Sequence, residues 1–271
     1  MSNIIEIIKY ILLGIVQGFT EPLPISSSGH IFILRHILNV GALNDLNFEI
    51  IVNFGSFIAI LLIYFKDIKR LIINFFKFFK VKTEETKRDF KYCILILLGS
   101  IPVGIVGLLF KDNIENMLNN VSLIGISFII TAIFLFITRK IVGNKDDNDI
   151  TWKDALIIGL VQIIALIPGI SRSGSTLIAA LFCKMKRESA LRYSFMLYMP
   201  ISVGTILLGM KDIISLPNTH EIILPYGLGF IASLVVSYFT LQWFLKIVKK
   251  GKLLYFSIYC LILGLCVLTF L

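Results

Sequence analysis

The chain has 271 residues, 57% of them hydrophobic and 16% charged, with a formal net charge of +9 and a mean hydropathy of +0.89. A soluble globular chain is about 45–50% apolar, so this composition excludes an ordinary water-soluble domain. The basic excess is spread between apolar runs and not gathered on one face, which excludes nucleic acid as a partner.

The first apolar stretch, Ile4–Thr20, is short. It runs directly into Glu21-Pro-Leu-Pro-Ile-Ser-Ser-Ser-Gly-His30. No basic leader or small-residue cleavage site accompanies it, so it is read as a retained helix and not a signal peptide. Phe48–Phe65 is the first run long enough for a hydrocarbon core that takes roughly 20 residues to cross. The connection Lys66–Lys91 carries nine Lys and Arg residues and the patch Phe75-Phe-Lys-Phe-Phe79. Such a patch suits the surface of an anionic leaflet. Glu49, at the start of the first span, is open to two readings, a solvated helix-end acid or a rim residue of a site, and Arg35 and His36 are expected at the interface.

Tyr92–Phe110 and Val121–Thr138 follow as spans. A second basic segment (Arg139, Lys140, Lys145, Lys153) leads into another short apolar stretch, Asp154–Ile167, and its loop Pro168-Gly-Ile-Ser-Arg-Ser-Gly-Ser-Thr176. After Lys184, Lys186, Arg187 and Arg192 come the spans Tyr193–Met210, Ile222–Phe244 and Leu253–Leu271, the last two separated by Lys246, Lys249, Lys250 and Lys252. With no water in the bilayer core, each span must be a helix that satisfies its own backbone. The four basic segments hold twenty-one of the 26 Lys and Arg residues, and the positive-inside rule puts them in the cytoplasm. Cys93, Cys183, Cys260 and Cys266 sit in or beside apolar segments without C-x-x-C spacing and read as packing thiols.

The two short stretches align without a gap at an offset of 145. Gly14, Val16, Gln17, Ile25, Ser26, Ser28 and Gly29 match Gly159, Val161, Gln162, Ile170, Ser171, Ser173 and Gly174, seven identities in positions 14–31. Reading each as a hairpin that enters and leaves on one face, the charge pattern sends the two in from opposite sides and leaves both termini outside. The expected fold is an all-α polytopic membrane protein with six transmembrane helices plus two re-entrant helical hairpins in an inverted-topology repeat. Residues 1–271 form one membrane domain, repeat 1 about 4–138 and repeat 2 about 154–271. Such folds place their site at the midplane, where irregular backbone lines a cavity.

The first loop supplies Glu21, Ser26, Ser27, Ser28 and His30, and the second supplies Ser171, Arg172, Ser173, Ser175 and Thr176. Ionisable groups inside a membrane point to function. The planar fork of Arg172 suits bidentate phosphate binding. Each Ser-Gly segment opens a new apolar stretch, and a helix N-terminus binds anions through its free N–H groups and dipole. A serine beside His30 fits a nucleophile with its base. For Glu21 three roles stay open: orienting His30, acid–base work, or holding a divalent cation. An Arg172–Glu21 bridge that serves packing alone is the structural alternative.

At these residues the sequence resembles the undecaprenyl-diphosphate phosphatase family, also called the bacitracin-resistance proteins. Gln17-Gly-Phe-Thr-Glu-Pro-Leu-Pro-Ile-Ser-Ser-Ser-Gly-His30 matches the family's first signature, and Pro168–Thr176 its second. Phe48-Glu49 and Gly55-Ser56 are similar as well. The resemblance implies hydrolysis of undecaprenyl diphosphate to the monophosphate and inorganic phosphate, carrier recycling for peptidoglycan, bacitracin tolerance, and a site open to the outer face of the bacterial cell membrane. It carries over Glu21, Ser27, His30 and Arg172 as the catalytic set, with Ser26, Ser173 and Thr176 as phosphate contacts; Gln17, Ser28, Ser171 and Gly174 of the same two motifs are further candidates for binding the substrate. Many members have Glu where this chain has Gln17, so a second carboxylate for a metal is missing. A divalent cation (Mg or Ca) as cofactor and a homodimer as assembly stay open, and undecaprenyl diphosphate and membrane lipid are the expected partners. The rival reading is a lipid or solute transporter or flippase built on the same repeat.

Overall fold

A computed structural model of the chain describes residues 4–38, 46–117, 120–214 and 219–271. The described residues form twelve α-helices. The N-terminal half holds α1 (Ile4–Thr20), α2 (Ser27–Leu38), α3 (Leu46–Ile63), α4 (Phe65–Lys77), α5 (Glu84–Leu109), α6 (Lys111–Met117) and α7 (Val121–Thr138). The C-terminal half holds α8 (Trp152–Ile164), α9 (Arg172–Phe182), α10 (Arg187–Ile214), α11 (Thr219–Lys249) and α12 (Leu254–Phe270). An isolated bridge between Lys145 and Met185 ties the segment before α8 to the one after α9.

By length and composition, helices over Glu84–Leu109, Val121–Thr138, Arg187–Gly209 and Ile223–Lys249 can each cross a membrane. The pair Asn47–Ile63 and Phe65–Lys77 passes together but is bent by 78° at Tyr64. Counted as one span, it makes five. Leu254–Phe270, where the sixth crossing is expected, is a shorter apolar helix.

Close backbone contact joins the helices in pairs. A Cβ added to Gly14 on α1 would run into the Gly229 carbonyl on α11, and one added to Gly159 on α8 into the Gly99 carbonyl on α5. In α7 and α12, Gly125 and Gly264 face each other in the same way. Without a hydrophobic drive between helices in lipid, small residues that let backbones approach are what hold helices together, with hydroxyls adding bonds across the seam. Such a hydroxyl seam ties α1, α3 and α11. Ser233 donates to the Val52 carbonyl (2.6 Å), Ser237 to the Gly18 carbonyl (3.0 Å), and Ser56 lies within 3.0 Å of Ser233 and 2.8 Å of Ser237.

The basic connection 66–91, expected as a loop, is mostly helical. Thr83 and Thr86 form a capping box that starts α5 at Glu84, well before its apolar part. Preceding it, α4 buries Leu71 and Asn74. Asn74 donates to Asp89 (2.7 Å) and Glu85 (3.2 Å), which docks α4 on α5, while Ile72, Ile73 and Phe76 are exposed. Arg35, expected at the interface, has a partner within the helix bundle. It is buried and bonded to Glu49 at 2.8 Å. A guanidinium needs a carboxylate to be buried, and α3 brings Glu49 to it.

On the second half, Thr151 and Asp154 cap α8 reciprocally, and Lys145 reaches both Asp154 oxygens at 2.9 Å. Burial works against the charge of Asp154, but Lys145 and the Thr151 donors outweigh it and hold the carboxyl below the usual carboxylate range.

Candidate active site

Two loops close the short helices. After α1, Pro22 and Pro24 lack the N–H a continuing helix would need, and the chain turns over residues 21–25. Ser26 then sits at φ +67°, a left-handed conformation uncommon for a side chain other than glycine, and its hydroxyl accepts the Gly29 N–H at 3.4 Å. After α8, Pro168 and Gly169 at φ +88° turn the chain. Ser171 caps α9 by accepting the Gly174 N–H at 3.1 Å. The paired hydroxyls repeat as well: Ser26 and Ser28 lie 3.3 Å apart, Ser171 and Ser173 3.2 Å. Both α2 and α9 therefore start from a Ser-x-x-Gly cap with further hydroxyls on the first turn.

Although distant in sequence, the loops meet. Ser173 of the second donates to the Leu23 carbonyl of the first at 2.8 Å. Arg172 donates from Nη2 to Oε1 of Glu21 in an ion pair that crosses between the loops. Oε2 of Glu21 accepts from Ser27 and, at 3.0 Å, from Gln17. Glu21 is 6% exposed, so a bare charge there would be costly, and these donors answer it. Around them lies a cavity of about 150 Å³, lined by Glu21, Arg172, Asn53 and Ser26, Ser27, Ser28, Ser171 and Ser173.

Of the other expected residues, Gly174 is part of the α9 cap. Thr176 stands one turn further along α9. Its hydroxyl bonds the Arg172 carbonyl at 2.9 Å and pairs with Ser194. His30 lies three residues after Ser27, on the same face of α2. Its Nδ1–H donates to the Ser26 carbonyl at 2.6 Å, and Nε2 accepts from the Tyr259 hydroxyl at 2.7 Å. A carbonyl can only accept, which fixes this tautomer. The Ser27 hydroxyl goes to Glu21 in this structure and not to His30.

Sequence reasoning missed three residues here. Asn53 of α3 lines the cavity. Tyr198 of α10 donates to Asn53 Oδ1 at 2.8 Å and lays its ring 3.8 Å under the Arg172 guanidinium, a cation–π contact. Tyr259 of α12 stacks on the His30 ring, with centroids 5.6 Å apart and planes 5° from parallel. Each lies singly in an apolar span and carries no motif, so only packing reveals it.

The donor set does not suit a protein-held divalent cation. Such ions take six or more oxygen ligands, carboxylates prominent among them. Glu21 is the carboxylate of this cavity, with both oxygens engaged by Arg172, Ser27 and Gln17. Among the described residues no group of three or more His, Cys, Asp or Glu could hold a metal. The cavity suits an anion, with one fixed cation, a ring of hydroxyls and two helix N-termini converging on it.

Fold and site define a class: a multi-pass, all-helical membrane protein with a polar anion cavity between two loops. The comparisons name it. The family described as "Bacitracin resistance protein BacA" matches residues 10–266, and the chain belongs to that family. It is similar to Undecaprenyl-diphosphatase 1 of Bacillus cereus, 46% identical over 271 residues covering all of both chains. Undecaprenyl-diphosphatase 1 of Bacillus licheniformis is 45% identical over 269 residues, 99% of each chain. Undecaprenyl-diphosphatase of Oceanobacillus iheyensis is 45% identical over 272 residues, 100% of this chain and 98% of its own.

Proposed function

We propose that the protein hydrolyses undecaprenyl diphosphate to undecaprenyl phosphate and inorganic phosphate, which returns the lipid carrier to cell-wall synthesis and gives tolerance to bacitracin. Family membership and full-length likeness to undecaprenyl-diphosphatases support the activity. The observation that carries it to this chain's own residues is Arg172 on Glu21, inside a cavity rimmed by the capped starts of α2 and α9.

On entry, the diphosphate takes Arg172 from Glu21. Its oxygens are received by the fork of the guanidinium and by the hydroxyls of Ser26, Ser28 and Ser171, while Ser173 and the Gly174 N–H, bonded to the Leu23 carbonyl and the Ser171 hydroxyl, hold the cradle in shape. Losing Arg172 frees the carboxylate to take a proton from Ser27, whose hydroxyl already points at it. Ser27 Oγ attacks the terminal phosphorus. The bond to the bridging oxygen breaks, and undecaprenyl phosphate leaves with the electron pair. A phosphate ester carries that charge unaided, so no general acid is needed. Water then attacks the phosphoserine, giving its proton to Glu21 as Ser27 recovers one, and inorganic phosphate departs. His30 fixes the Ser26 carbonyl and so the start of α2 that presents Ser27. Gln17 steadies Glu21 and Thr176 steadies the backbone of Arg172. The charge that develops on phosphorus is met by preorganised donors, usually the largest catalytic contribution.

The architecture of this reading is one membrane domain of six spans and two re-entrant hairpins, α1–α2 and α8–α9, in inverted repeats of about 4–138 and 154–271. Its support is that the helix pairs exchange between halves. The first hairpin's α1 lies on α11 and the second's α8 on α5, each through a glycine–glycine contact, and α7 meets α12 at Gly125 and Gly264. The basic segments support a cytoplasmic 66–91 and termini outside the bacterial cell membrane, and likeness to the family supports a cavity open to the outer face.

The test is phosphate release from undecaprenyl diphosphate by purified protein in detergent, with and without chelator. Arg172→Ala is expected to lose about 10²–10³-fold in turnover, the scale for removing a transition-state donor. Release at the wild-type rate would refute the assignment.

A further inference from the structure

We propose that a groove between α7, α8 and α9 holds the polyprenyl tail of the substrate, starting at the wall of the diphosphate cavity. This rests on the hydrolase reading above and deepens it.

The groove encloses about 180 Å³ and its lining is almost wholly apolar. Three helices build it, each from one face. On α9 it takes Ser175, Ile178, Ala179 and Phe182, the i, i+3, i+4, i+7 stripe of a helix. On α8 it takes Ile157, Val161 and Ile164, again one face, and α7 closes the third side with Ile130, Phe134 and the buried Thr131. Ile178 and Ala179 are buried and form the floor, whereas Ile157, Phe134 and Phe182 stand 44–52% exposed as walls. The Ser175 hydroxyl is turned back to the Ser171 carbonyl at 2.8 Å, which keeps its polar end off the groove.

Any crevice on a membrane helix bundle can be filled by a lipid chain. What singles out the substrate's tail here is adjacency to the diphosphate cavity. Ile170 lines both the groove and the diphosphate cavity. One helix carries both ends of the ligand, with Arg172 at its N-terminus for the diphosphate and the stripe from Ser175 to Phe182 for the chain. That stripe runs for roughly 10 Å at 1.5 Å per residue. A lipid whose head has sunk from the outer face to the middle of the bilayer must carry its first isoprene units onward, away from that face. This groove leads there. Since lipid surrounds the tail in either place, the groove confers register and packing more than hydrophobic drive.

A polyprenyl diphosphate with a photoreactive diazirine near its first isoprene units tests the proposal on the full-length protein in phospholipid nanodiscs. Label is expected within 157–164 and 175–182, chased by excess undecaprenyl diphosphate and not by excess phosphatidylglycerol. Label on other helices, or equal chase by the phospholipid, overturns the tail site. Two variants read the same groove kinetically. Ala179→Leu fills the floor, and Ile157→Trp overhangs it from an exposed wall where folding is not at stake. Each is expected to raise KM for undecaprenyl diphosphate by about tenfold, the low end of what overpacking costs, with kcat changed far less. An unchanged KM in both also overturns it. Wild-type protein that is labelled in the groove yet releases no phosphate would instead sink the hydrolase reading.

Discussion

Arg172 contributes geometry as well as charge. Its Nη2 bonds Glu21 while its face lies on Tyr198, so the plane of the guanidinium is set before a phosphate arrives. Arg172→Lys keeps the charge and loses both plane and fork, and we expect turnover to fall by about 10²-fold or more, as for a lost transition-state donor. Near wild-type phosphate release in the Lys variant would make Arg172 structural. Ser27 and Glu21 are expected to behave as one unit. Ser27→Ala and Glu21→Gln should each abolish release, and the double variant should be hardly worse than either, because groups that act together lose their effect together. Additive losses in the same assay would separate them. The charged members of this site were legible in the sequence because each breaks a local rule, an ion or a run of hydroxyls in an apolar stretch. Asn53, Tyr198 and Tyr259 break none. Single polar residues in spans are common, and their roles arise from which helix lies opposite.

At the scale of the element, the breaks between α1 and α2 and between α8 and α9 were legible because proline, glycine and serine interrupt the apolar runs. α4 was not. Its residues alternate lysine with isoleucine and phenylalanine, which reads as a charged connection when hydropathy is averaged. The bend at Tyr64 and the docking of Asn74 on Asp89 are what make it an amphipathic helix. The glycine contacts were equally silent, since a glycine at a seam looks like any other until its partner is known. They carry a consequence for stability. Gly159→Leu on α8 would drive a side chain into the Gly99 backbone. We expect a loss of about 1–3 kcal/mol or more from overpacking, seen as a lower midpoint of thermal unfolding in detergent, while Gly104→Leu, with open space around it, leaves the midpoint unchanged. Equal midpoints for the two variants would mean that α5 and α8 are not tightly seamed.

For the whole molecule, the distribution of lysine and arginine is the guide to orientation. Cysteines placed at Lys80 and Asn113, on opposite sides of the α5 span, are expected to react with an impermeant reagent from opposite faces, Asn113→Cys from outside intact cells and Lys80→Cys only after permeabilisation. Labelling of both from outside would remove the six-span topology. The crossed pairings of α1 with α11 and α8 with α5 mean that neither half is complete alone. The Arg172–Glu21 bond spans 151 positions of chain. At a synthesis rate of roughly 5–20 residues per second, Glu21 is made about eight to thirty seconds before its guanidinium exists. During biogenesis Glu21 is thus a carboxylate awaiting its cation, and the loop that bears it lacks the second loop it packs against until α9 is made. A nascent chain of this protein is catalytically silent for most of its translation, and truncations short of α9 should be cleared by membrane proteases as incomplete.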